Sequence, residues 1–221
     1  MQRTTAALFV IVASSILSTG CSKMYYKTWE KLGWEKRDIL VDRVEDARDE
    51  QEEAKEEFKT TLERFQEITG YSGGDLEAKY KKLSSSYEDC ADRAQAVKER
   101  IAAVEKVAKD LFAEWKEEIN QYSSAELKRA SQEQLDQTKE RYNELITVMK
   151  NAEAKMQPVL VAFNDQVLFL KHNLNAQAIA SLQTTAKGIE QDVAKLIADM
   201  EASIAEANDF INQMSKSEKS S

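Results

Sequence analysis

A chain of 221 residues with 31 basic and 39 acidic side chains, formal net charge −8, has room for one sizeable domain and the wrong sign for nucleic acid. Charged residues make up 32% of it against 6 Gly and a single Pro, so turns are few. A composition so rich in Ala, Glu, Lys, Gln and Leu belongs to long helices and coiled coils.

The N-terminus reads as an address. One positive residue, Arg3, precedes an uncharged run from Thr4 to Ser18, and small residues then lead into Cys21. A positive n-region, an apolar stretch too short to span a bilayer and a small-residue cleavage site make a secretory signal over residues 1–20. Leu17-Ser18-Thr19-Gly20-Cys21 resembles a bacterial lipobox. The resemblance implies that Cys21 is acylated, palmitate included, and that the mature protein is held to a membrane by lipid. The usual large aliphatic residue three before the cysteine is Ser18 here, with Leu17 one place further out. The competing reading is an ordinary signal peptide cleaved nearby, leaving Cys21 free. Ser22 stands where aspartate would signal inner-membrane retention, so the lipobox resemblance points to the outer membrane, facing the periplasm.

Residues 21–37 form a basic, aromatic strip. Lys23, Lys27, Lys31, Lys36 and Arg37 face only Glu30 and Glu35, and Tyr25, Tyr26, Trp29 and Trp34 lie among them. Directly after a lipid anchor, such a strip suits a headgroup interface, where indole and phenol rings bridge apolar and wet surroundings. Alternatively, these rings cap the lower end of a bundle beside Phe112 and Trp115.

From 38 to 214 the apolar residues follow the alternating four-and-three spacing of a heptad seam. Leu40, Val44, Ala47, Ala54, Phe58, Phe65 and Ile68 make the first run, which Gly70-Tyr71-Ser72-Gly73-Gly74-Asp75 breaks, with Asp75 or a neighbour capping the next helix. The second runs from Leu76 through Leu83, Cys90, Val97, Ile101, Val104 and Leu111 to Trp115. Ser123 followed by Glu126 reads as a capping box. The third run carries Thr138, Tyr142, Leu145, Met149, Ala152, Met156, Val159, Phe163 and Leu170, with Pro158 inside it where it should bend the helix. Either asparagine of Asn173-Leu174-Asn175 can cap. The fourth run holds Ile179, Leu182, Ile189, Val193, Leu196, Met200, Ala207, Ile211 and Met214, and residues 215–221 form a disordered polar tail. The expected fold is all-α: four antiparallel helices of about 40–48 residues, a rod about 60–72 Å long. An up-down four-helix bundle and a pair of separate coiled-coil hairpins both satisfy these seams.

The leader, the segment from Met24 to Gly33 and the stretch around Phe65 to Gly74 together resemble an uncharacterised family of Gram-negative envelope lipoproteins, domain of unknown function 2959. The resemblance covers essentially the whole chain and implies no established activity and no catalytic residues. Some relatives carry a DNA repair ATPase label, which the residues do not support. A nucleotide loop needs glycines ending in Lys-Ser/Thr, and the only glycine cluster ends in Asp75.

Other chemistry is short of residues. His172 is the only histidine, too few for a dimetal bundle or a zinc site, and its place near a helix end suits the helix dipole. Cys90 sits on a seam and reads as a small buried hydrophobe, and the acidic stretch Glu45 to Glu53 as a solvated helix face. No catalysis, cofactor, metal, nucleotide or nucleic acid is expected. The richest apolar stretch needs only Val159, Phe163 and Leu170 for its seam. Leu160, Val161, Leu168 and Phe169 extend it around the helix, which makes that helix either central in its bundle or a docking surface for another chain. The expected function is a lipid-anchored structural or interaction module whose partner is an envelope protein or a second copy. The alternative is a membrane-active bundle that assists membrane remodelling or secretion-complex assembly.

Overall fold

The computed structural model describes residues 36–219, which form four long helices: α1 (Lys36–Thr69), α2 (Leu76–Ile119), α3 (Ala125–His172) and α4 (Ala176–Lys219). They hold 34, 44, 48 and 44 residues, so at 1.5 Å per residue they span about 51 to 72 Å. Of α1, 34 residues lie among the described ones, which begin at Lys36. Lys36 and Arg37, placed by the sequence in the strip before the bundle, already belong to α1. At the other end α4 continues to Lys219, so residues 215–219 of the expected disordered tail prolong the helix, and 220 and 221 lie outside the described residues. Ser215 supports that last turn by donating its hydroxyl to the Ile211 carbonyl at 3.0 Å.

The turns have clear causes. Gly73 and Gly74 take φ of +144° and +105°, conformations that side-chain-bearing residues avoid, and Tyr71 donates its hydroxyl to the Gly74 carbonyl at 2.6 Å. Asp75 then caps α2 by accepting from the Ala78 N–H. The cap of α3 is Ser124, whose hydroxyl accepts from the Leu127 N–H. That moves the start one residue beyond the expected Ser123 and breaks the capping box, since the third helical position is now Leu127 and not Glu126. Both asparagines of the last turn are used: Asn173 ends α3, and the Asn175 side chain accepts from the Ala178 N–H of α4. The helix α3 runs on through Pro158. Pro158 and Ala154, whose carbonyl loses its helical donor to the proline, both face solvent, so water can replace the missing hydrogen bond.

Contacts around the ring show a closed up-down bundle and not two separate hairpins. Thr61 of α1 donates to the Ser86 carbonyl of α2, and Arg93 and Arg100 of α2 pair with Glu50 and Asp46 of α1. Lys150 of α3 pairs with Glu105 of α2, and Phe112 meets Tyr142 edge to face with ring centroids 5.4 Å apart. Lys155 of α3 pairs with Asp199 of α4. The ring closes between α4 and α1 through Asn208 with Arg48, Glu190 with Gln66, and Gln183 with the Thr69 carbonyl. In each neighbouring pair the numbers on one helix fall as those on the other rise, so all four are antiparallel. Across the diagonal, Phe65 of α1 packs edge to face on Phe163 of α3 at 6.3 Å. That contact requires all four helices around one core.

The core is the predicted seam with additions. Leu40, Val44, Phe58, Phe65, Leu83, Val97, Leu145, Met149, Phe163, Leu170, Val193, Leu196 and Met200 are wholly buried. Each such side chain stabilises the bundle by roughly 1.5–3 kcal/mol relative to exposure. Ile39, Val107, Ile119, Leu135, Ile146 and Phe210 join them from positions beside the seam. A bundle helix buries a stripe at least 100° wide, broader than the two positions per heptad of a two-stranded coil. One core position is polar on both sides: Gln51 of α1 and Ser203 of α4 are wholly buried, and the Ser203 hydroxyl donates to Gln51 Oε1 at 2.8 Å. Gln51 Nε2 is buried without a partner.

Candidate interaction surface

The antiparallel order gives the rod two distinct ends. The α1–α2 turn at Gly70–Asp75 and the α3–α4 turn at Asn173–Asn175 lie together, far from the point where the chain joins the bundle. The other end holds the start of α1, the α2–α3 turn and the end of α4.

The stretch of α3 approaching the Gly70–Asp75 end carries the apolar surface. Val159, Phe163, Val167 and Leu170 point into the core. Leu160 joins them at 6% exposure, so it is core and leaves the proposed patch: it lies one position from Val159, on the flank that packs against a neighbouring helix. Val161, Leu168 and Phe169 remain 49%, 52% and 41% exposed, so core packing does not account for them. Val161 and Leu168 are seven residues apart and therefore lie on one outward line of the helix, with exposed Ala154 and Asp165 on or beside it. Phe169 sits one position round from Leu168, and Asn173 ties the end of the helix by donating its side-chain amide to the Phe169 carbonyl at 2.9 Å. Leu174, 36% exposed in the following turn, extends the surface to the tip. Scattered exposed leucines are ordinary, but Leu168, Phe169 and Leu174 gather at the end of α3, with Val161 on the same face two turns back beyond exposed Asp165, and such a cluster marks a candidate contact surface.

The opposite end carries a smaller apolar feature that periodicity did not reveal. Tyr122 in the α2–α3 turn is 45% exposed and Leu127 in the first turn of α3 is 57% exposed. Beside them Trp115 is held on two sides: its indole N–H donates to Ser131 Oγ at 3.0 Å, and the Arg37 guanidinium lies 5.1 Å over its ring. Cys21, Lys23, Tyr25, Tyr26, Lys27, Trp29 and Trp34 lie outside the described residues.

Elsewhere the ionisable groups read as scaffold. The acidic face of α1 is paired with cations, Glu50 and Glu53 with Arg93, Asp46 with Arg43 and Arg100, and Glu52 with Lys55. Cys90 is wholly buried, and burial pushes its thiol up to about 12, so it stays protonated and unreactive. His172 closes α3 as its last residue, exposed to solvent. An open groove between α3 and α4 is lined by Asp136, Glu140, Glu144 and Glu206, with Lys139 held 5.7 Å from the Phe112 ring. Among the described residues no group of three or more His, Cys, Asp or Glu is placed to hold a metal ion, and no helix is long and apolar enough to cross a membrane.

A family model described as a protein of unknown function (DUF2959) matches residues 25–214. No curated protein and no solved structure matches the chain.

Proposed function

The chain belongs to the DUF2959 family, and from that premise we propose that it is a lipid-anchored interaction protein of the bacterial envelope. In this reading it is held by an acylated Cys21 to the periplasmic face of the outer membrane and presents a helical rod to an envelope protein. The module acts by position and contact and not by catalysis. The observation that carries it is the exposed surface of Val161, Leu168 and Phe169, set toward the end of the rod opposite the start of α1. A tether at one end and a contact surface toward the other are what an adaptor working across a gap requires. The lipobox-like Leu17–Cys21 sequence supports the anchor, and burial of one patch side chain against a partner is worth roughly 1.5–3 kcal/mol, enough to change occupancy tenfold or more.

Two variants test the two halves. Cys21→Ala should abolish incorporation of labelled fatty acid and release the protein from the membrane fraction. Unchanged labelling and localisation would sink the anchor. Leu168→Ser with Phe169→Ser should leave the helical melting curve in place and reduce in-cell crosslinks to envelope proteins. An unchanged crosslink pattern would remove the patch from the mechanism.

A further inference from the structure

The end of the bundle where α1 begins has a tip of its own. Trp115 of α2 lies against Arg37, near the first residues of α1, and α2 continues from there to Ile119 before turning. The Asn120–Ser124 turn therefore stands about 6 Å, one helical turn, beyond the level of Trp115 and Arg37. In a chain that is 32% charged, the run Ile119-Asn120-Gln121-Tyr122-Ser123-Ser124-Ala125 has no charged side chain. Part of its hydrogen bonding is satisfied from within. The Asn120 and Gln121 N–H groups donate to the Glu117 and Glu118 carbonyls, the Asn120 side chain donates to the Lys116 carbonyl, and Ser124 accepts from Leu127. The Tyr122, Ser123 and Ser124 N–H groups have no acceptor among the described residues, so the turn's backbone stays at the hydrated headgroup level while its apolar side chains can go deeper. Tyr122 and Leu127 project from it, a phenol and an aliphatic chain suited to the boundary between headgroups and acyl chains.

We propose that the α2–α3 turn is a bilayer contact, with Tyr122 and Leu127 entering the headgroup–acyl boundary beside the lipid anchor. The inference rests on the anchor reading: the chain runs from Cys21 into the bundle at the end bearing Arg37, so that end and not the Gly70–Asp75 end is the one tethered to the lipid. Lys116, Lys128 and Arg129 around the turn are matched by Glu117, Glu118 and Glu126, so the contact selects for an apolar interface and not for anionic lipid. The contact orients the rod, with the α2–α3 turn down and Val161, Leu168 and Phe169 held away from the surface.

The test uses the full-length, lipidated protein in phosphatidylcholine vesicles, half of them containing brominated acyl chains. A polarity-sensitive thiol probe is placed at Ser123→Cys or, as a control at the other end, at Ser72→Cys. Cys90 is buried and its thiol is pushed up to about 12, so it does not compete for the probe. Emission from Ser123→Cys should shift to the blue and be quenched by the brominated chains, with the Ser72→Cys probe unaffected. Adding Tyr122→Ser and Leu127→Ser should abolish the shift and the quenching while the protein stays on the vesicles. If the protein is retained but the Ser123→Cys probe is quenched no more than that at Ser72→Cys, or the double substitution changes nothing, the turn is no bilayer contact and the anchor stands. If the purified protein carries no acyl chain and does not stay on vesicles, the anchor reading fails and this inference falls with it.

Discussion

Replacing Gln51 by Met and Ser203 by Ala together should stabilise the bundle, although both changes remove hydrogen-bonding groups. Both residues are wholly buried, and their single mutual hydrogen bond of 2.8 Å leaves Gln51 Nε2 with no acceptor. An intramolecular hydrogen bond contributes about 0.5–1.5 kcal/mol net, whereas a buried donor left unmade costs about 1–3 kcal/mol. Methionine follows the unbranched shape of glutamine, so the amide disappears with little change in volume. The Ser203→Ala change removes the hydroxyl that would otherwise lose its acceptor. The balance is a gain of about 0.5–2 kcal/mol, or several degrees in Tm for a domain of this size. Ser203→Ala alone should go the other way by a similar amount, since it leaves both polar atoms of Gln51 unpartnered. Urea unfolding of the full-length chain, followed by the helical circular dichroism signal, gives both values from one set of titrations. If the double variant is no more stable than the parent and the urea slope is unchanged, the Gln51 amide is satisfied in solution and the reasoning fails.

Two further outcomes rest on burial. Ile101→Asp puts an unpaired carboxylate in the core and should cost several kcal/mol, while Glu99→Ala, which loses only an exposed bond from Gln95, should stay within about ±0.5 kcal/mol; similar melting curves for the two would overturn the core assignment. Burial raises both the Cys90 thiol, from 9.0 to about 12, and the Tyr142 phenol, from 10.0 to about 12. Their folded-state values exceed the unfolded ones, so this stability is fully present below pH 9 and is lost as the pH rises toward 12. Urea midpoints at pH 8 and pH 11 should diverge less in Cys90→Ala and in Tyr142→Phe than in the parent, and parallel losses in all three would refute the assignment.

Most of the helical order was legible because one periodicity governs nearly the whole chain. The seam positions from Leu40 to Met214 told which face turns inward, and Gly70–Asp75 announced a turn because nothing else in the chain tolerates two consecutive positive φ angles. Closure into one bundle was not legible. A four-and-three stripe serves two helices or four, and it takes a diagonal pair such as Phe65 and Phe163 to decide. The α3 cap was displaced by one residue because Ser123 and Ser124 are chemically equivalent in sequence, and only backbone geometry chooses between them. Leu160 and Val161 are adjacent and alike in character, yet one is core and the other surface. Their rotation about the helix is set by the neighbours, which the stretch itself does not encode. Ser203 left a fainter signal, a polar residue filling the step between the seam positions Met200 and Ala207.

The antiparallel ring has a mechanical consequence. A pull applied between Arg37 and the outer face at Leu168 enters the bundle along α1 and leaves through α3, parallel to the helix axes. The resisting contacts, from Val44 through Phe58 to Phe65 and its partner Phe163, then lie along the line of force and are loaded together in shear. A load across the axes would peel the same core one turn at a time, and each turn would fail separately. The bundle is therefore stiffest along the line that joins its two ends, and it can carry tension between them without first opening.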